Sequence, residues 1–232
     1  MKLVLTCEHA FPYIPEKYQK LFYDEPEILK THEAYDPGSF DLFKALKSLA
    51  NFSKYQSIGR LLIETNRSEH HPLLFSRYSR EISNQDKKSI LQTFYTSYRD
   101  EVKSKIQEYI NEGNTVIHLS VHSFTPVLNS KERNCDIGLL YDPFRAVEKE
   151  FCKNWKTEIL KQNPELKIRF NYPYLGKADG FTTSLRKVFP KNYLGIELEV
   201  NQKWASDDLM NKDLKKNIFE SLQDIISKKP QN

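Results

Sequence analysis

A chain of 232 residues that is 39% hydrophobic, with only seven glycines, carries enough apolar material for one buried core, which excludes wholesale disorder. Its 35 basic and 31 acidic residues leave a formal charge of +4 and are interspersed, so neither nucleic acid nor an anionic membrane surface is expected as a partner. Three widely spaced cysteines (Cys7, Cys135, Cys152) offer no disulfide framework, no run approaches the ~20 apolar residues of a membrane span, and the apolar part of the opening MKLVLTCEHA is too short for a secretory core. A cytoplasmic protein with reduced thiols is expected.

Residues 2–7 read as a buried strand that breaks at Glu8 and His9 into AFPYIPEKY, where Pro12 and Pro15 oppose regular structure. THEAYDPG is a polar loop. It leads into a helix over 39–50, and Asp36 lies just ahead, where a carboxylate can also serve as a cap. GRLLIE, 59–64, predicts a second strand running into Asn66 and Arg67. His70 and His71 follow in a loop; adjacent side chains on an extended chain diverge, so the two cannot share one metal. Apolar residues recurring at three and four predict a long helix over 86–112, stopping at Gly113.

The run 115–121 is β-branched and apolar and ends abruptly at His122, the way a buried strand delivers a polar group to a sheet edge. A strand at 136–141 precedes a helix over 143–162 with Phe144, Val147, Phe151, Trp155 and Ile159 on its buried stripe. After a strand at 167–171, the segment 172–182 has no periodicity and reads as a loop covering a site. The last strand is 193–200 and the last helix 207–228, beginning near Leu209. Strands separated by helices predict an α/β fold: a single domain over 1–232, with a mostly parallel mixed sheet and helices on both faces.

Three of these strands end in residues suited to a metal: Glu8 and His9, then His122, then Glu197 and Glu199, which share one face because they are two apart. A buried strand tolerates two carboxylates only when they are paired, protonated or bound to a metal. Two histidines and a carboxylate make a catalytic zinc site, and a further carboxylate takes the proton from water. Arg67 and Arg133 follow strands on the same side, where guanidinium groups bind an anionic substrate and steady an oxyanion.

TCEHA, YDPG, Asn66-Arg67, SVHSFTPVLN, Arg133 with DIGLLYDP, the run from Asp179 to Thr182, and GIELEVNQ occur in the order seen in the N-formylglutamate amidohydrolase family, which the chain resembles over about residues 3–204. The same positions are similar to a compressed zinc carboxypeptidase or aspartoacylase fold. The resemblance implies zinc, or another divalent metal, on His9 and His122. It implies a carboxylate clamp at Asn66 and Arg67, with Asp179 and Thr182 near substrate. Glu197 is implied as the general base, with Glu199 left open for the same role. Those peptidases carry Glu three residues after the first histidine, where this chain has Pro12, so the third ligand falls to Asp36 or Glu8. Asp36 is preferred because Glu8 and His9 diverge. The function implied is metal-dependent hydrolysis of an N-acyl, and in particular N-formyl, amino acid or a similar small amide bearing a carboxylate. The alternatives are a metallopeptidase or cell-wall amidase on this scaffold, and a relative that binds a small acid without turnover.

Overall fold

A computed structural model describes residues 1–227. Its six-stranded sheet comprises β1 (Lys2–Cys7), β2 (Phe52–Tyr55), β3 (Val116–Phe124), β4 (Ile137–Leu140), β5 (Ile168–Phe170) and β6 (Tyr193–Asn201), in the order β2-β1-β3-β6-β4-β5. β2, β1, β3 and β6 are parallel, whereas β4 pairs antiparallel with β6 and carries β5 alongside it. The longer helices are α1 (Ser39–Leu46), α2 (Asn84–Ile90), α3 (Ser97–Asn111), α4 (Ala146–Gln162), α5 (Phe181–Val188) and α6 (Lys212–Ser227). The expected mostly parallel α/β domain is the one found. No helix among the described residues is long and apolar enough to cross a membrane.

The two faces of the sheet differ, and the difference follows from the two-residue period of a strand. Leu3 and Leu5, Ile117, Leu119 and Val121, and Ile196 and Leu198 point one way and bury against α1, α4 and α6. On the other face Val4, Val116 and Tyr193 pack under α3 and α5. Towards the carboxyl ends that second face turns polar, through Thr6, His118, Ser120, His122 and Glu199, all buried. A third apolar cluster, around Phe22, Leu62, Ile63 and Ile90, is built from segments between residues 14 and 95 and contains no residue of the sheet.

Several expectations need correction. GRLLIE is a series of turns and not a strand: Gly59 donates to the Tyr13 carbonyl and Leu62 to that of Gly59. Leu61, Leu62 and Ile63 are consecutive and all buried in the third cluster, and such a run looks the same in a compact turn as in a strand. Phe52–Tyr55 takes the place beside β1 instead. α4 begins at Ala146, three residues later than expected, and Phe144 and Val147 are exposed, because only Phe151, Trp155 and Ile159 reach the sheet. α5 (Phe181–Val188) is an element the sequence reading does not predict; only its first two residues fall in the segment expected as a loop. α6 starts at Lys212, with Leu209 exposed in a short ribbon, and the expected last residue, 228, lies outside the described chain. The long helix over 86–112 contains a π-helical stretch, Leu91–Thr96, between α2 and α3.

One buried ion pair binds these layers together. Glu148, at the start of α4, accepts from Arg186 Nε at 3.0 Å and from the Gly195 N–H at 3.1 Å, and Arg186 donates to the carbonyls of Gly176 and Gly195, each at 2.6 Å. Arg186→Ala would remove the charge-assisted hydrogen bonds to that buried carboxylate and leave Arg145 Nε, 3.1 Å away, as its remaining cation, so it should cost about 1.5–3 kcal/mol. Urea denaturation measures this, and a loss below about 1 kcal/mol would show that the pair is not a structural anchor.

Candidate metal centre and substrate cleft

The polar ends of β1, β3 and β6 open into a cleft of about 270 Å³. At its floor His9, Asp36 and His122 converge, all buried. His9 follows β1, Asp36 comes from the loop before α1, and His122 lies within β3, which runs three residues beyond its expected end. His9 Nδ1 lies 3.2 Å from Asp36 Oδ2, His122 Nδ1 lies 3.0 Å from the same oxygen, and the two Nδ1 atoms are 3.1 Å apart. Around a tetrahedral ion with bonds of about 2.0–2.1 Å, neighbouring ligand atoms sit about 3.3 Å apart. Two imidazoles and one carboxylate at this spacing therefore fit a divalent ion.

Each histidine is held from behind by a carboxylate. His9 Nε2 meets Glu64 Oε1 at 2.6 Å, and His122 Nε2 meets Glu8 Oε2 at 3.3 Å and Ser120 Oγ at 2.8 Å. Both rings thus have Nε2 turned outward and Nδ1 turned to the centre. Glu8 and His9 diverge, and it is Asp36 that reaches the centre, while Glu8 stands on the far side of His122. Burial alone would raise the Glu8 carboxyl, but His122, His118 and Ser120 outweigh it and hold it at about 2. Burial likewise opposes charge on His122, and the hydrogen bonds to Asp36 and Glu8 overcome it, placing its pKa well above the ordinary value.

Glu199 pairs in register with His122 across β3 and β6 and lines the cleft. Burial pushes its carboxyl up to about 8 against the pull of His122, with Asp36 and Glu197 adding to the rise. Its Oε2 is buried without a hydrogen-bond partner, as expected of an atom aimed into a site. Glu197 also lines the cleft, but its Oε1 is engaged by the Thr182 hydroxyl at 2.7 Å. Thr182 itself is fully buried behind Glu197.

Asn66, Arg67 and Asp179 form the opposite rim and tie it together. Arg67 donates to the Asp179 carbonyl at 2.8 Å, the Ser68 N–H donates to the Asp179 carboxylate at 3.0 Å, and Asn66 Oδ1 accepts from the Phe181 N–H at 2.9 Å, satisfying a free donor at the start of α5. Arg99 of α3 supports this turn from below through the carbonyls of Thr65 and Arg67. Arg133 is not among the cleft's lining residues: it donates to Thr125 and, at 3.4 Å, to the hydroxyl of Tyr174, which does line the cleft. His70 and His71 stay outside it. Sequence reasoning missed Arg60, Glu64 and Tyr174. The first two lie in the run 59–64, which reads as a strand, and the third in the loop 172–182, and no local pattern marks any of them.

Residues 1–205 match the sequence model of the N-formylglutamate amidohydrolase family. A gene product of Agrobacterium tumefaciens has the same fold, with a TM-score of 0.83 at 24% identity over 97% of this chain and 90% of that one. The N-formylglutamate amidohydrolase of Ralstonia eutropha follows at 0.69 and 15% identity, over 97% and 93%. A metallo-carboxypeptidase of Burkholderia cenocepacia is more distant, at 0.39 and 10% identity, over 97% of this chain and 57% of that one. No curated protein matches the chain.

The trio generates a direct expectation. After incubation with zinc and dialysis the protein should retain close to one equivalent, and His122→Ala should retain little, because two remaining ligands hold an ion poorly. Elemental analysis decides the matter; full occupancy in His122→Ala would remove His122 from the site.

Proposed function

Because the chain belongs to the N-formylglutamate amidohydrolase family, we propose that it is a divalent-metal-dependent hydrolase, with zinc the expected ion, of N-acyl amino acids, N-formyl ones included, that carry a free carboxylate. The observation that carries this reading is the convergence of His9, Asp36 and His122 at the floor of a cleft that also holds Glu199 and Arg67. An ion on that trio would supply Lewis acidity to the amide carbonyl and to water.

The chain's own residues account for the remaining chemistry. Glu199 in its ionised form is the proton acceptor: it stands beside His122 and has an unpartnered oxygen, and a divalent ion on the trio would oppose the effect of burial and favour the carboxylate, which takes a proton from attacking water and returns it to the departing amine. Glu197, held by Thr182, sits two residues behind it and keeps the same face of β6 polar. Arg67 binds the substrate carboxylate, its guanidinium already oriented by the Asp179 carbonyl. The Tyr174 hydroxyl, backed by Arg133, donates to the developing oxyanion, so Arg133 acts through Tyr174. The small cleft suits an amino acid and its acyl group better than a long polymer.

Turnover of N-formyl and N-acetyl amino acids by the zinc-loaded protein, abolished by a chelator, tests the reading. Metal binding without turnover would favour a binding protein. Glu199→Gln should keep its metal and lose roughly 10²-fold or more in kcat, because an amide cannot accept the proton, whereas Glu197→Gln should lose much less. The reverse ranking transfers the role to Glu197.

Substrate charge provides a separate check. Wild type should prefer an N-acyl amino acid over its carboxamide, and Arg67→Ala should lose roughly 10- to 100-fold in kcat/KM on the acid, about 1.4–2.8 kcal/mol, while changing little on the carboxamide. Equal cleavage of acid and carboxamide by wild type would remove Arg67 as a clamp.

A further inference from the structure

Glu64 lies in the turns preceding Asn66 and Arg67, almost fully buried, and both of its oxygens are engaged. Oε1 accepts from His9 Nε2 at 2.6 Å and from the Asn66 backbone N–H at 3.1 Å. Oε2 accepts from Arg60 Nε at 2.7 Å, and Arg60 continues to Asp36 Oδ1 at 3.4 Å. A single carboxylate therefore touches one histidine of the trio, reaches the trio's carboxylate through a guanidinium, and holds the main chain of the turn that presents Arg67. Glu8, the equivalent carboxylate behind His122, accepts from Ser120 and from the Tyr98 hydroxyl, neither of which belongs to that turn.

We infer that Glu64 is a positioning residue that couples the metal-holding trio to the substrate-carboxylate clamp, an inference that rests on the function proposed above. A ring nitrogen donating to a fixed carboxylate sets both the tautomer and the rotation of an imidazole, which directs His9 Nδ1 at the centre. The same Oε1 fixes the Thr65–Asn66 peptide plane, and the Glu64 carbonyl accepts from the Arg67 N–H at 3.2 Å, so Glu64 holds the turn on both sides of Asn66. Three donors converge on Glu64: an imidazole N–H, a guanidinium N–H and a backbone N–H. Glutamine offers one acceptor oxygen in place of two and sets an NH2 donor against one of those donors, so Glu64→Gln preserves size and removes the pattern.

The test has two readouts on the full chain. Zinc affinity, measured by competition with a chromophoric chelator, should fall 10- to 100-fold in Glu64→Gln, and Glu64→Asp should recover part of it because the charge remains. At saturating zinc, KM for an N-formyl amino acid should rise several-fold in Glu64→Gln. Circular dichroism reports whether each variant folds. Zinc affinity within about 3-fold of wild type overturns the inference, and so does a loss of zinc affinity with KM unchanged, which removes the coupling. Failure of both variants to fold also overturns it, since Glu64 would then be structural alone. If wild type turns over no N-acyl amino acid, the function reading falls, and the zinc measurement still decides whether Glu64 positions His9.

Discussion

Everything at the carboxyl ends of β1, β3 and β6 depends on one electrostatic constraint: a buried cluster of charges has to sum close to zero. Glu8, Asp36 and Glu64 are all held as carboxylates, each with its pKa lowered by histidine or arginine neighbours that outweigh burial. Arg60 supplies one positive charge, and His9 and His122 are both shifted towards their protonated forms, burial notwithstanding. With Glu199 shifted towards its neutral form, three negative charges meet three positive ones. A divalent cation replacing the two imidazole protons leaves that sum unchanged. That balance is compatible with a doubly charged ion on the trio, whose candidate ligand atoms stand 3.0–3.2 Å apart.

The scaffold meets this constraint through alternation along strands. In β1, β3 and β6 every second residue serves the apolar layer under α1, α4 and α6, and the residues between them change from apolar to polar as each strand approaches its end. His118 is part of that change. Its Nε2 meets the Thr6 hydroxyl and its Nδ1 the Tyr193 hydroxyl, each at 2.8 Å, and burial keeps its pKa down at about 4. It is a neutral, satisfied histidine four residues before His122 on the same face of the strand, so position within the strand and charged neighbours separate the two.

What the sequence revealed and what it concealed follow from the same geometry. Strand ends were readable because apolar runs stop abruptly, and this located His9, His122 and the pair Glu197 and Glu199. The divergence of Glu8 and His9 followed from the alternation of an extended chain. His118 and Ser120 passed unnoticed inside a run that looked uniformly buried because it is uniformly buried. Arg60 and Glu64 were placed on a strand because Leu61, Leu62 and Ile63 resemble one, while the true edge strand, Phe52–Tyr55, is short and half exposed and carries no apolar signature. Tyr174 enters the cleft through the path of a loop that only tertiary contacts define.

That loop also bears on how molecules reach the centre. Gly176 is fastened by Arg186 at its carbonyl and by the Asn171 side chain at its N–H, 3.1 Å away, and Asp179 is fastened by Arg67 and Ser68. A segment anchored at these points cannot swing as a lid without breaking the hydrogen bonds that Arg186, Asn171, Arg67 and Ser68 make to it. Discrimination between ligands then rests on a preformed aperture rather than on closure around the correct one. For the function proposed, entry and exit would then share one opening, and product departure would be governed by the contacts at its rim, those of Arg67 among them.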